Sequence, residues 1–199
     1  MAAGGGLRER KKRETRLALS HATIRLVIER GWDNVSVEEI AAAANVSERT
    51  FRNYFGSKAE AVVATHVERG RRIAETLRAR PREESLWDAL IGAVLSQFEF
   101  ATRAADDRYS AGLGKLLAEP AVQQEIFRAH AMAQDELAAA IADRTGKSVD
   151  DLYPQVVASV VSAGLGTALT RWTRRPVGTI TPLLREVFDQ IRAGLPDPR

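Results

Sequence analysis

The chain contains no cysteine, which excludes disulfides, thiolate metal sites and cysteine nucleophiles together. Histidine is nearly as scarce. His21, His66 and His130 are scattered, with no HExxH pair and no ligand-spaced cluster, so no metal site is expected. No stretch reaches the roughly eighteen consecutive apolar residues of a membrane span. The charged N-terminus MAAGGGLRERKKRETR has no apolar run behind it that would make it a signal peptide. A cytoplasmic protein without membrane contact is expected. Gly146-Lys147-Ser148 looks like the tail of a phosphate loop, but that motif needs a glycine where Ile141 stands and a strand where a helical pattern precedes it. Neither catalysis nor a cofactor is expected.

What is present is helical periodicity. The 199 residues are 45% hydrophobic, enough for one or two domains. No convincing strand pattern appears, and the expectation is an all-α chain of about nine helices. A first helix begins at Glu9 or Lys12 after a disordered Met1–Leu7, buries Leu17, Ile24 and Ile28, and stops at Gly31. Ser57-x-x-Glu60 opens a long helix ending before Pro81, and Ser85-x-x-Asp88 opens one striped by Leu86, Leu90, Val94 and Phe98. Later helices are expected near 109–118, from Pro120 to Thr145, from Asp150 or Asp151 to Trp172, and from a Thr181 cap onward. SAGLG occurs at Ser110–Gly114 and again at Ser162–Gly166, read as two places of close helix packing or kinking.

The most informative stretch is SVEEIAAAANVSERTFRNYFGSK, Ser36 to Lys58. Ser36 and Glu39 form a capping box. The Ala41–Ala44 run lets another helix cross closely. Asn45 falls where the chain must turn, and asparagine tolerates the left-handed conformation. Ser47 caps the next helix, which throws Phe51 and Phe55 inward and leaves Glu48, Arg49, Arg52 and Asn53 on another face. This is a helix-turn-helix whose second helix reads base edges. Arg49 and Arg52 suit guanine and Asn53 suits adenine, while Thr50 can meet a phosphate or a thymine methyl. Glu48 fits better as a solvated first-turn acid than as a cytosine acceptor.

The sequence from the basic first helix through VSVEEIAAAANVSERTFRNYFGSKAEAV resembles the N-terminal domain of TetR-family transcriptional regulators. Val46-Ser47, Thr50-Phe51, Tyr54-Phe55 and Ser57-Lys58 carry the resemblance, over about Arg13 to Val63. Asn45 departs from the glycine usual in the family's turn. The resemblance implies a helical homodimer that binds a near-palindromic double-stranded DNA operator and loosens when a small molecule enters its C-terminal domain. It assigns Ser47, Tyr54 and Lys58 to phosphate. Residues 1–58 would form the DNA-binding domain and 59–199 the ligand-binding and dimerisation domain.

Charge is also unevenly distributed along the chain. Residues 1–80 hold 16 Lys+Arg against 10 Asp+Glu, whereas residues 81–199 hold 13 against 16. A basic N-terminal part is the footprint of a chain that meets phosphate at one end. The run Arg8–Arg16 fits a minor-groove or backbone arm and, equally, a solvated helix start.

In the C-terminal part, Trp87, Leu95, Phe98 and Leu113 are candidate pocket residues, with Leu117, Phe127, Met132 and Val157. All fit an ordinary core equally well. Gln97, Glu99, Arg103 and His130 are the polar candidates. A likeness to family members with acyl-CoA-type ligand domains implies a small apolar or acyl-type effector. Val156, Val160, Ala163, Leu165 and Leu169, with Gly164 and Gly166, offer a face for pairing the last two helices around a two-fold axis. A DNA-binding architectural or partner-controlled protein without a ligand is the alternative.

Overall fold

A computed structural model describes residues 3–98, 107–175 and 178–195. Among these are nine helices and no strand: α1 (Ala3–Arg30), α2 (Val37–Ala43), α3 (Glu48–Tyr54), α4 (Lys58–Ala79), α5 (Leu86–Ser96), α6 (Asp107–Ala118), α7 (Pro120–Thr145), α8 (Leu152–Arg174) and α9 (Thr181–Arg192). The chain divides into two compact units. One comprises Met1–His66 with Ala111–Ala129, the other Val67–Ser110 with His130–Arg199. The division passes through α4, α6 and α7.

Local chemistry sets the helix ends. Ser36 Oγ accepts from the Glu39 amide at 3.1 Å while the Ser36 amide donates to Glu39 Oε2 at 2.8 Å. Those bonds, then the pull of Arg30, hold the Glu39 carboxyl below the usual carboxylate range. α2 ends in a Schellman motif: the Val46 amide donates to Ala41 O at 2.9 Å and the Asn45 amide to Ala42 O at 3.0 Å. Asn45 has φ 56°, the left-handed conformation expected of it. Two expectations at helix starts shift. α1 is helical from Ala3, where disorder to Leu7 was expected. α9 is capped by Ile180 without a side-chain bond, so Thr181 is already helical.

The first unit closes around Leu19, Leu26, Val27, Ile40, Phe51 and Phe55, each no more than 4% exposed. Leu17, Ile24 and Ile28 are only half-buried. The buried stripe of α1 is rotated from the one expected and includes Ser20, whose hydroxyl donates to Ala61 O at 2.5 Å. Ile28 has a different task, since a β-carbon on Gly112 would lie 2.7 Å from its Cγ2.

The second unit buries Leu77, Leu90, Val94, Ile141, Val161, Leu184 and Phe188. α8 is long and apolar enough, by length and composition, to cross a membrane. Its Val157, Val161, Gly164, Leu165 and Ala168 are instead buried in this unit. A β-carbon on Gly164 would meet Ile191 Cδ1 of α9 at 2.7 Å. The two SAGLG copies therefore behave alike: the first glycine of each seats an isoleucine, and the second, Gly114 or Gly166, has nothing within 4 Å.

Gly70 permits the tightest crossing. A β-carbon there would lie 2.5 Å from Ala133 Cβ and 3.2 Å from Ala133 Cα. Backbone cannot step aside as a flexible side chain can, so Gly70→Ala forces α4 from α7. Overpacking costs about 1–3 kcal/mol against a helix-propensity gain of about 1 kcal/mol. Gly70→Ala is expected to lower the melting temperature while Gly114→Ala raises it. Equal rises in thermal denaturation would show that the crossing is not tight.

Candidate nucleic-acid interface

α3 is seven residues long, and its faces are sharply divided. Phe51 and Phe55 turn inward, 1% and 2% exposed, with ring centroids 5.5 Å apart. Ser47, Arg49, Arg52 and Asn53 are exposed, and Glu48, Thr50, Tyr54 and Lys58 half-exposed. The outward face thus brings together the four base-reading candidates.

They are not equally available. Arg49 and Asn53 make no side-chain hydrogen bond or ion pair among the described residues. Arg52 is bound along its own helix, its Nε donating to Glu48 Oε1 at 2.9 Å. An exposed pair of this kind contributes only about 0.3–0.5 kcal/mol, so a guanine edge can displace it. Ser47 caps α3 by accepting from the Thr50 amide at 3.1 Å, and the two hydroxyls share a hydrogen bond of 2.9 Å. A phosphate approaching Ser47 meets a helix start already capped.

Lys58 is placed differently from the other phosphate candidates. Its Nζ donates to Trp32 O at 2.8 Å and to Val35 O at 2.7 Å, and lies 4.7 Å from the centre of the Trp32 ring. Two of its three N–H groups are spent holding the loop between α1 and α2, which leaves one for a phosphate. Trp32 itself is half-buried against this ammonium.

The sequence reading missed Arg16. In the sequence it reads as part of a basic run; in the structure it turns toward α3. Arg16 Nη1 donates to Tyr54 O at 3.2 Å, Nη2 approaches Glu60 Oε1 at 3.4 Å, and Cζ stands 4.5 Å over the Phe55 ring. The signal was available, because residues 16, 19, 20, 23 and 27 fall on one helical stripe. Glu60 also accepts from the Gly56 amide at 2.8 Å, which ties the end of α3 to the start of α4. Of the rest of the basic run, Arg8 to Lys12 are an exposed part of α1 and Arg13 is half-buried.

The pocket candidates do not gather at one described cleft. Leu95, Phe98 and Val157 are buried, at 5%, 5% and 6% exposure, whereas Phe127 is 79% and Met132 58% exposed. Trp87, Gln97, Leu113, Leu117 and His130 are half-buried. Leu113, Leu117 and Phe127 belong to the first unit and the others to the second. Glu99 and Arg103 lie outside the described residues. Two clefts among the described residues are formed around the C-terminal end of α8, by Thr167, Thr170, Arg171 and Arg174 and by Trp172, Arg175 and Leu183. None of the candidates lines either.

Residues 19–65 match the bacterial regulatory proteins, tetR family, and residues 84–196 match the MftR C-terminal domain. The chain is 28% identical over 190 residues to the putative mycofactocin biosynthesis transcriptional regulator MftR of Mycobacterium tuberculosis, covering 94% of this chain and 93% of that protein. It is 30% identical over 174 residues to the HTH-type transcriptional regulator TcmR of Streptomyces glaucescens, covering 84% and 76%. Its fold is similar to that of the fatty acid degradation regulator FadR from Bacillus halodurans, with TM-score 0.60, 18% identity, and 92% and 97% of the two chains covered.

Proposed function

Because the chain belongs to the TetR family of transcriptional regulators, we propose that it is a cytoplasmic repressor that holds a palindromic operator as a homodimer and leaves it when an effector binds. The observation that carries this reading is the outward face of α3, where Arg49 and Asn53 stand exposed beside the capped start of the helix. Each copy places that face in a major groove, and the two-fold axis sets the half-sites one DNA turn or a multiple of it apart.

Pairing runs through α8 and α9. Gly164 and Leu165 are taken up by their own α9 and core, so the partner face is narrower than the small-residue pattern suggests. It consists of Val156, Val160, Ala163 and Gly166, with Leu152 75% exposed at its end. Such a face suits the close crossing of a second α8.

The effector is a small apolar or acyl-type molecule taken by the C-terminal domain. For it to release DNA, it must bind the DNA-incompetent form more tightly, by the same free energy that the operator loses.

Selection from random duplex DNA tests the whole reading. An inverted repeat is the expected product, and a folded protein that enriches no motif, or a single half-site, would refute it. Arg49→Ala is then expected to relax the preference at one base position per half-site, by about 1–3 kcal/mol. Uniform weakening across all sequences would instead make Arg49 a phosphate contact.

A further inference from the structure

Arg69 lies on α4, inside the second unit. Its guanidinium stands over the Phe98 ring, with Cζ 5.0 Å from the ring centroid. The side chain is half-buried, and burial lowers its pKa from the ordinary arginine value. That direction reports a guanidinium that burial has stripped of part of its water.

The described acids on and beside α4 are engaged by other arginines. Glu68, its neighbour in sequence, holds Arg71 at 2.8 Å and Arg72 at 2.9 Å. Glu75 pairs with Arg71, and Arg78 takes Asp143 at 2.9 Å. Of the four arginines on α4, Arg69 alone holds no carboxylate among the described residues. The described elements around it supply apolar surface: Phe98 is 5% exposed, Ile73, one turn along α4, is 3% exposed, and the adjoining Gly70 meets Ala133 of α7.

Among the described residues the Phe98 ring face is what compensates this loss of water, and contact with a ring returns less than pairing with a carboxylate would. As a binding device the arrangement is a good one, since the planar guanidinium fork offers two parallel N–H donors to the two oxygens of a carboxylate or phosphate. We propose that Arg69 anchors the anionic head of the effector, an amphiphile whose carboxylate or phosphate pairs with the guanidinium while its apolar body lies against Phe98. This rests on the reading that the C-terminal domain takes an effector, and it adds that the effector is charged.

The test uses the full chain and three probes with the same alkyl tail, namely decanoate, decyl phosphate and 1-decanol, with affinities from calorimetry. The wild type is expected to bind at least one anion tenfold or more tighter than decanol, and whichever anion wins identifies the head group. Arg69→Met, which keeps an unbranched side chain near Phe98, is expected to bind all three alike and, without a probe, to melt no lower than the wild type. Equal affinity for decanol and the anions would overturn the proposal. So would an anion preference that survives in Arg69→Met, a marked loss of unliganded stability in that variant, or failure of all three probes to bind. Displacement of the selected operator is measured alongside. Release by decanol as efficient as by the anions would remove the anchor but keep the effector reading, and operator binding without release by any probe would remove the anchor but leave DNA recognition standing.

Discussion

Phe51→Ala is expected to abolish operator binding by unfolding the first unit, with no DNA contact altered directly. A buried phenylalanine truncated to alanine costs about 3–5 kcal/mol, a large part of the roughly 5–15 kcal/mol by which a domain is stable. α3 has seven residues, far below the length at which a helix holds itself in water, so it exists only because Phe51 and Phe55 are buried. The Phe51 ring also supports Phe55, over which Arg16 is stacked. Phe127→Ala is the matched control, the same chemical change at a position 79% exposed, with an expected effect within about 0.5 kcal/mol. Thermal denaturation of both variants, with operator binding measured at low temperature, decides the matter. Similar effects from the two substitutions would mean that Phe51 does not anchor α3.

The second large effect is expected at Lys58. Lys58→Met keeps most of the stem near Trp32 but removes the ammonium from two loop carbonyls at 2.7 and 2.8 Å. Hydrogen bonds from a charged donor contribute about 1.5–3 kcal/mol each, and partial exposure of the carbonyls lets water replace some of that. A net loss of about 2–3 kcal/mol is expected, on the order of 10 °C or more in melting temperature for a unit of this size. A residue serving only phosphate would leave the melting temperature unchanged and reduce the salt dependence of DNA binding by about one ion. The expected result is the opposite balance, a large fall in melting temperature and a small change in salt slope.

How much was legible in advance follows from the range of the interactions involved. The Ser36–Glu39 box, the Asn45 turn and the inward pair Phe51 and Phe55 are settled within a few residues, and the sequence pattern placed each of them. Arg16 and Lys58 were harder, because their roles depend on carbonyls of Tyr54, Trp32 and Val35 that lie 23 to 38 positions away. A basic residue near an expected DNA surface reads as a DNA contact until those partners are visible. The register of α1 is not legible because the helix carries more apolar residues than one face can bury, so Leu17, Ile24 and Ile28 are as apolar as the buried Leu19, Leu26 and Val27. Pocket and core residues share one chemistry, and nothing in the sequence separates an exposed Phe127 from a buried Phe98. That Ala111–Ala129 groups with the first unit rests on contacts between residues far apart in the chain, which no local pattern carries.

The two open glycines of the SAGLG copies have a practical consequence in a chain that contains no cysteine. A β-carbon at Gly114 or Gly166 would meet nothing within 4 Å, so a single cysteine placed at either becomes a unique handle for a spin label. At Gly114, which is exposed, the label is expected to tumble freely at any protein concentration. At Gly166, on the face of α8 assigned to the second copy, it is expected to tumble freely in dilute protein and to slow as copies pair. The same pentapeptide thus supplies both a reporter of assembly and its internal reference.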